Sequence, residues 1–133
     1  MSPQFLLDTH IVFRWLAEPK RLSREQLRAI QSVERNPGSL AISAYSLIEF
    51  VLLSDMKKVS VSTLKQVIKL CETHQTIQLI PFNGDVASEM AAMGDSLRDP
   101  GDRVIVATAR VHGLRLITAD QRIIESHLVP VTE

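Results

Sequence analysis

Apolar residues gather along this chain in short runs that alternate with stretches of helical spacing. Phe5-Leu6-Leu7 is a brief apolar run stopped by Asp8, the mark of a buried strand. Ile11, Val12, Trp15 and Leu16 follow at helical intervals, and Glu18-Pro19 ends that helix. Ser23 with Gln26 reads as a capping box opening a second helix, with Leu27 and Ile30 on one face. After the turn Asn36-Pro37-Gly38, Leu40-Ala41-Ile42 forms the second strand, and Ser43 or Ser46 caps the helix that carries Glu49. Leu64, Val67, Ile68 and Cys71 mark an amphipathic helix over 62–74. Ile77 to Ile80 is a third strand, closed by Pro81. Asn83 or Asp85 starts a helix running through Val86, Met90 and Leu97, and Arg98-Asp99-Pro100-Gly101 makes a turn. Asp102 opens an apolar helix that Gly113 ends as its C-cap. Leu114 to Thr118 is a fourth strand, and Val129-Pro130-Val131 a short edge strand, where proline is tolerated.

This alternation predicts an α/β fold of three layers, a mostly parallel central sheet of about four or five strands flanked by helices. No linker, repeat or low-complexity stretch divides residues 1–133, so a single domain is expected. In open parallel sheets ligands bind beyond the carboxyl ends of the strands. Asp8 and Asp120 follow strands, and Glu49 and Asp102 lie in or at the starts of helices, so four acids far apart in sequence are expected to meet at one sheet edge.

Each acid also has a plainer role open to it. Asp8 and Asp102 suit N-caps, Asp120 suits a turn, and Ser46-Leu47-Ile48-Glu49 matches a capping box. Glu49, however, stands inside a strongly apolar stretch, where a carboxylate needs a polar site to offset its desolvation. Three or four crowded carboxylates repel one another, and a divalent cation with a preference for hard oxygen ligands, Mg²⁺ or Mn²⁺, relieves that repulsion. Such an ion activates water for in-line attack on phosphorus. The four histidines have no common ligand spacing.

Composition narrows the classes further. Apolar residues make up 45% of the chain and charged residues 23%, which excludes an extended disordered protein. No apolar run reaches the ~20 residues needed to span a bilayer. The lone Cys71 cannot form an internal disulfide, and the N-terminus lacks the pattern of a signal peptide, so a cytoplasmic location is expected. Fifteen basic residues balance fifteen acidic ones. With four acids committed to bound ions the remainder becomes net positive, and Arg14, Lys20, Arg21, Arg24, Arg28 and Arg35 crowd the first third. That distribution suits a phosphodiester substrate and equally an ordinary solvated surface. A haloacid dehalogenase would need a second aspartate where His10 stands, and a receiver domain would need paired acids after its first strand. Neither a phosphate-binding loop nor a nucleophile elbow is present.

Phe5-Leu6-Leu7-Asp8-Thr9-His10, Ile42-Ser43-Ala44-Tyr45-Ser46-Leu47-Ile48-Glu49, Asp99-Pro100-Gly101-Asp102-Arg103 and Leu116-Ile117-Thr118-Ala119-Asp120 follow, in order, the motifs of PIN-domain nucleases. The chain resembles that family over essentially its whole length, and VapC-type toxins of bacterial toxin–antitoxin pairs in particular. The resemblance implies a three-layer, Rossmann-like PIN fold and a Mg²⁺- or Mn²⁺-dependent endoribonuclease acting on RNA. It implies catalytic and metal-binding acids at Asp8, Glu49, Asp102 and Asp120, a homodimer, and a cognate antitoxin covering the acids. Asp99, which precedes proline, is expected to be extended and to stand behind the ligands, and Thr9, Ser43 and Thr118 either orient the acids by hydrogen bonds or cap locally. Arg103 is expected to pair with a carboxylate. Gly101 stands where members of the family often carry a bulky residue. The competing reading is a catalytically inactive PIN-like module that binds metal or docks a partner.

Overall fold

The computed structural model describes residues 2–133. Five strands, β1 (Phe5–Leu7), β2 (Leu40–Ser43), β3 (Ile77–Ile80), β4 (Arg115–Ile117) and β5 (Val131–Thr132), form one sheet in the order β3-β2-β1-β4-β5. Every pairing is parallel. The helices between them are α1 (Thr9–Ala17), α2 (Arg24–Val33), α3 (Tyr45–Asp55), α4 (Val61–Thr73), α5 (Gly84–Ala92), α6 (Pro100–His112) and α7 (Gln121–Ser126), with a 3-10 turn at Pro19–Arg21.

Period-two alternation along the short strands feeds two cores. Leu6, Ala41 and Leu116 face Val86, Ile105, Val106 and Ile123 of α5, α6 and α7. Leu7, Leu40, Ile42 and Ile117 face Ile11, Ile30, Phe50, Val67 and Cys71 of α1 to α4. Both faces of the sheet are therefore covered, as an all-parallel sheet requires. No helix among the described residues is long and apolar enough to cross a membrane.

Several local expectations hold. Ser23 and Gln26 form a reciprocal capping box, and Gly113 takes a left-handed conformation (φ 64°) at the end of α6. Others need correction. The helix from Asn83 stops at Ala92 rather than reaching Leu97, because Gly94 turns left-handed (φ 61°). Helix α6 begins at Pro100, two residues before Asp102, since proline fits a first helical position and Asp99 supplies the cap. Among the described residues Arg103 pairs with no carboxylate; its guanidinium donates to the carbonyls of Met90, Gly94 and Leu97, tying the end of α5 and the segment after it to α6.

After β3 the chain crosses back to add β4 on the far side of β1. That reversal splays the connections leaving β1 and β4, which opens a crevice at their carboxyl ends.

Candidate active site

Asp8 leaves β1 directly into that crevice. Its Oδ1 accepts from Thr9 N–H at 2.8 Å and caps α1, while Oδ2 accepts from the Thr118 hydroxyl at 2.7 Å across the switch point. Capping and presentation in the crevice are thus two uses of one carboxylate. Thr118 in turn accepts from Asp120 N–H at 3.0 Å, so one hydroxyl sets the relation between the residues leaving β1 and β4. His10 Nε2 accepts from Ala119 N–H at 3.2 Å, a second tie across the same gap, with Nδ1 3.6 Å from Asp8 Oδ2.

Glu49 projects from the second turn of α3 and accepts from the Thr9 hydroxyl. The Thr9 oxygen lies 2.8 Å from Ser46 Oγ. Because Thr9 spends its one proton on Glu49, Ser46 donates to Thr9. The capping-box alternative for Ser46 and Glu49 is therefore not realised, and α3 starts at Tyr45 behind Ala44, an N-cap residue with no polar side chain of its own. Ser43 holds no acid: its hydroxyl accepts from Tyr45 N–H at 3.1 Å, the local capping alternative.

Asp99 is extended (φ −65°, ψ 123°) and accepts from Asp102 N–H at 2.9 Å, so both acids sit on the first turn of α6. Gly101 between them is buried, and a Cβ there would stand 2.8 Å from Glu49 Oε2 and 3.2 Å from Asp99 Oδ2. The missing side chain is what lets α6 approach the Glu49 carboxylate.

Asp8, Glu49, Asp99, Asp102 and Asp120 all line one cavity of about 520 Å³, against two permanent cations, Lys58 and Arg122. The excess of acid has electrostatic consequences. Burial, reinforced by Asp120 and Asp99, pushes the Asp102 carboxyl up to about 7. Burial also raises Glu49, with Asp8 and Asp99 adding to the rise and the Thr9 hydrogen bond opposing it. Burial pulls Asp120 upward too, but its hydrogen bonds and ion pair with Arg122 prevail and hold it below the usual range. Arg122 bridges two acids, 3.3 Å from Asp102 Oδ2 and 3.4 Å from Asp120 Oδ2.

The sequence pattern pointed to four acids, to Asp99 behind them, and to Thr9, Ser43 and Thr118 as residues that orient them or cap locally. It did not single out Lys58, Arg122 or His10, and it offered Ser46 only as a helix cap. Arg122 was detectable as a cation two residues beyond Asp120, whereas Lys58 follows α3 in a loop and carries no local sign of where it lands.

As a set, these side chains offer hard oxygen donors and a net negative charge, which fits a divalent cation of the Mg²⁺ class. Among the described residues no three His, Cys, Asp or Glu side chains are already drawn together around one ion-sized point. The fit is one of donor type and charge, with room left for the waters that such ions retain.

The PIN domain family profile matches residues 5–126. Ribonuclease VapC22 of Mycobacterium tuberculosis is 36% identical over 128 residues, covering 94% of this chain and 92% of that protein. Among solved structures, VapBC2 from Rickettsia felis bound to a promoter DNA fragment superposes over 100% of both chains with a TM-score of 0.72 at 13% identity. A toxin–antitoxin complex from Klebsiella pneumoniae does so over 95% of each chain, with a TM-score of 0.64 at 23% identity. The parallel α/β sheet, the acids at its switch point and these matches converge on one conclusion: the chain belongs to the PIN-domain family.

Proposed function

We propose that residues 1–133 form one nuclease domain, a divalent-metal-dependent endoribonuclease serving as the toxin of a toxin–antitoxin pair. The observation that carries this reading is the cluster of five carboxylates in one crevice, balanced among the described residues that line it by the permanent cations Lys58 and Arg122. The kinship to a protein named as a ribonuclease supports RNA as the substrate.

Asp8, Glu49, Asp102 and Asp120 would hold Mg²⁺ or Mn²⁺, with Asp99 behind them. The ion, when bound, supplies a water activated near neutral pH and positive charge for the phosphoryl oxygens. Everything else falls to the chain. Thr118 and Thr9 fix the directions of the Asp8 and Glu49 carboxylates, as hydroxyls behind a ligand shell do. Asp99 holds the first turn of α6, and with it Asp102, at the rim. Arg122 is 70% exposed, long enough to release Asp102 and turn to a substrate phosphate. Purified protein is expected to cleave RNA in Mg²⁺ or Mn²⁺, to stop on addition of EDTA, and to recover when the metal is restored. Metal binding without cleavage of any RNA would favour the docking module instead.

A second surface supports the partners. Helix α3 is apolar almost all round, leaving Ile48 (53%), Val51, Leu52 and Met56 (60%) exposed beside Phe82. A helix of this kind is covered in the working assembly. We assign Ile48, Tyr45 and Phe82, which line an apolar hollow with Ala44, Met90 and Val104, to a homodimer interface. Leu52 and Met56 border the acid cavity, where an antitoxin segment would lie. The solved structures of similar fold that are toxin–antitoxin complexes support such a partner. Ile48→Glu is expected to convert a dimer into a folded monomer in sedimentation, and a wild-type protein that is monomeric at high concentration would remove the interface.

A further inference from the structure

The acid cavity shares His10, Leu53 and Lys58 with a second cavity of about 540 Å³ enclosed by α1, the 3-10 turn and the start of α4. The two adjoin at these residues, yet their charges are opposite. Arg14, Arg21 and Lys58 line the second cavity against a single acid, Glu18, which is already engaged by Arg21 at 3.0 Å. Phe13, Leu53 and Val59 give it an apolar floor, and the thirteen-residue α4 points its N-terminus toward it, adding positive potential.

We propose that this cavity is an RNA subsite, holding one unpaired nucleotide next to the scissile bond, with its phosphate on Arg14 and Lys58 and its base over Phe13. The inference rests on the nuclease reading above. Its logic is electrostatic. A crevice of five carboxylates repels every phosphate of an approaching strand, and a bound ion offsets that repulsion only at the scissile group. The flanking phosphate needs its own cations within one nucleotide's reach, and the wall at Lys58 is where acid gives way to base. An aromatic floor under a cationic rim is also what single-stranded nucleic acid uses, since every base presents a face for stacking. An apolar peptide helix laid there would bury Arg14 and Lys58 without a counter-charge, whereas a phosphate satisfies them.

The test uses the full-length wild type and Arg14→Gln, a change that keeps helix propensity and lies outside the acid cavity. Initial rates on a labelled single-stranded RNA of mixed sequence are measured across a salt series. Arg14→Gln is expected to raise KM about fivefold at unchanged kcat and unchanged melting temperature. It should also reduce the slope of log(kcat/KM) against log[salt] by about 0.7, the value for one phosphate contact on a single strand. Lys58→Gln should raise KM in the same direction, and Arg14→Lys should restore most of the loss. Wild-type protein without RNA cleavage in any metal would defeat the nuclease reading itself. An active Arg14→Gln with wild-type KM and salt slope would overturn the subsite alone, and weaker antitoxin binding by that variant would then hand the cavity to a protein partner.

Discussion

Asp8→Asn abolishes metal-dependent RNA cleavage and leaves the protein folded: a fall of roughly 10²-fold or more in kcat is expected, the scale for misplacing a metal-held reactant. The side chain is 5% exposed and uses both oxygens, one on Thr9 N–H and one on the Thr118 hydroxyl. Asparagine is nearly isosteric, so its carbonyl oxygen keeps the cap on α1. Its amide then faces Thr118, whose hydroxyl already accepts from Asp120 N–H and has a second lone pair for the new donor. One hydroxyl proton must turn elsewhere, a small change in a fold of this size. Against it, the substitution removes one of the charges that raise Glu49 and Asp102. The metal-free melting temperature should therefore stay close to that of wild type or rise slightly. Melts in EDTA read the fold and cleavage in Mg²⁺ reads the chemistry. A folded Asp8→Asn protein with full activity would remove Asp8 from the site, and undiminished wild-type cleavage in EDTA would remove the metal.

Gly101→Ala should separate activity from stability in a different way. Alanine in the first turn of α6 gains up to about 1 kcal/mol over glycine in helix propensity. Its Cβ, however, would stand 2.8 Å from Glu49 Oε2 and 3.2 Å from Asp99 Oδ2. A glutamate end moves cheaply when nothing holds it, but this one is held by Thr9, itself buttressed by Ser46. Relief requires Glu49 to leave Thr9, Asp99 to release its cap on Asp102, or α6 to withdraw. Losing a cap costs about 1 kcal/mol, so the gain and the loss in stability nearly cancel. Each route shifts a carboxylate by several tenths of an ångström or more, and shifts of about 1 Å can cost as much as 10²-fold in rate. Cleavage should fall by about 10- to 100-fold with a melting temperature little changed, and Mn²⁺ titration should show weakened binding. Wild-type activity in Gly101→Ala would mean that Glu49 has slack the structure does not suggest.

The elements themselves were legible because their causes are local. Leu6 and Leu7 alternate into two cores, Ser23 and Gln26 satisfy each other's backbone three residues apart, and Gly113 ends α6 by tolerating a positive φ. The boundaries that moved, at Leu97 and Asp102, moved where two local signals compete. Gly94 overrode an apolar periodicity, and Asp99 with Pro100 made a better helix start than Asp102.

The four acids at strand ends and helix starts were likewise visible as positions, since a parallel α/β alternation places such positions at one edge of the sheet. What surrounds each carboxylate was not. The partners of Asp8, Glu49 and Asp102 come from Thr118, Thr9 and Arg122, distant in sequence and joined only once β2 and β4 have added on either side of β1. Nothing within a few residues of Ser46 says that it will support Thr9 instead of closing a capping box, or that Lys58 will divide an acid cavity from a basic one. Sequence alone determined which short-range patterns could form and which residue types were available for chemistry. Tertiary structure decided strand order, the charge balance of the crevice and the ties on each acid, because buried parallel strands look alike locally and electrostatics depends on distance in space.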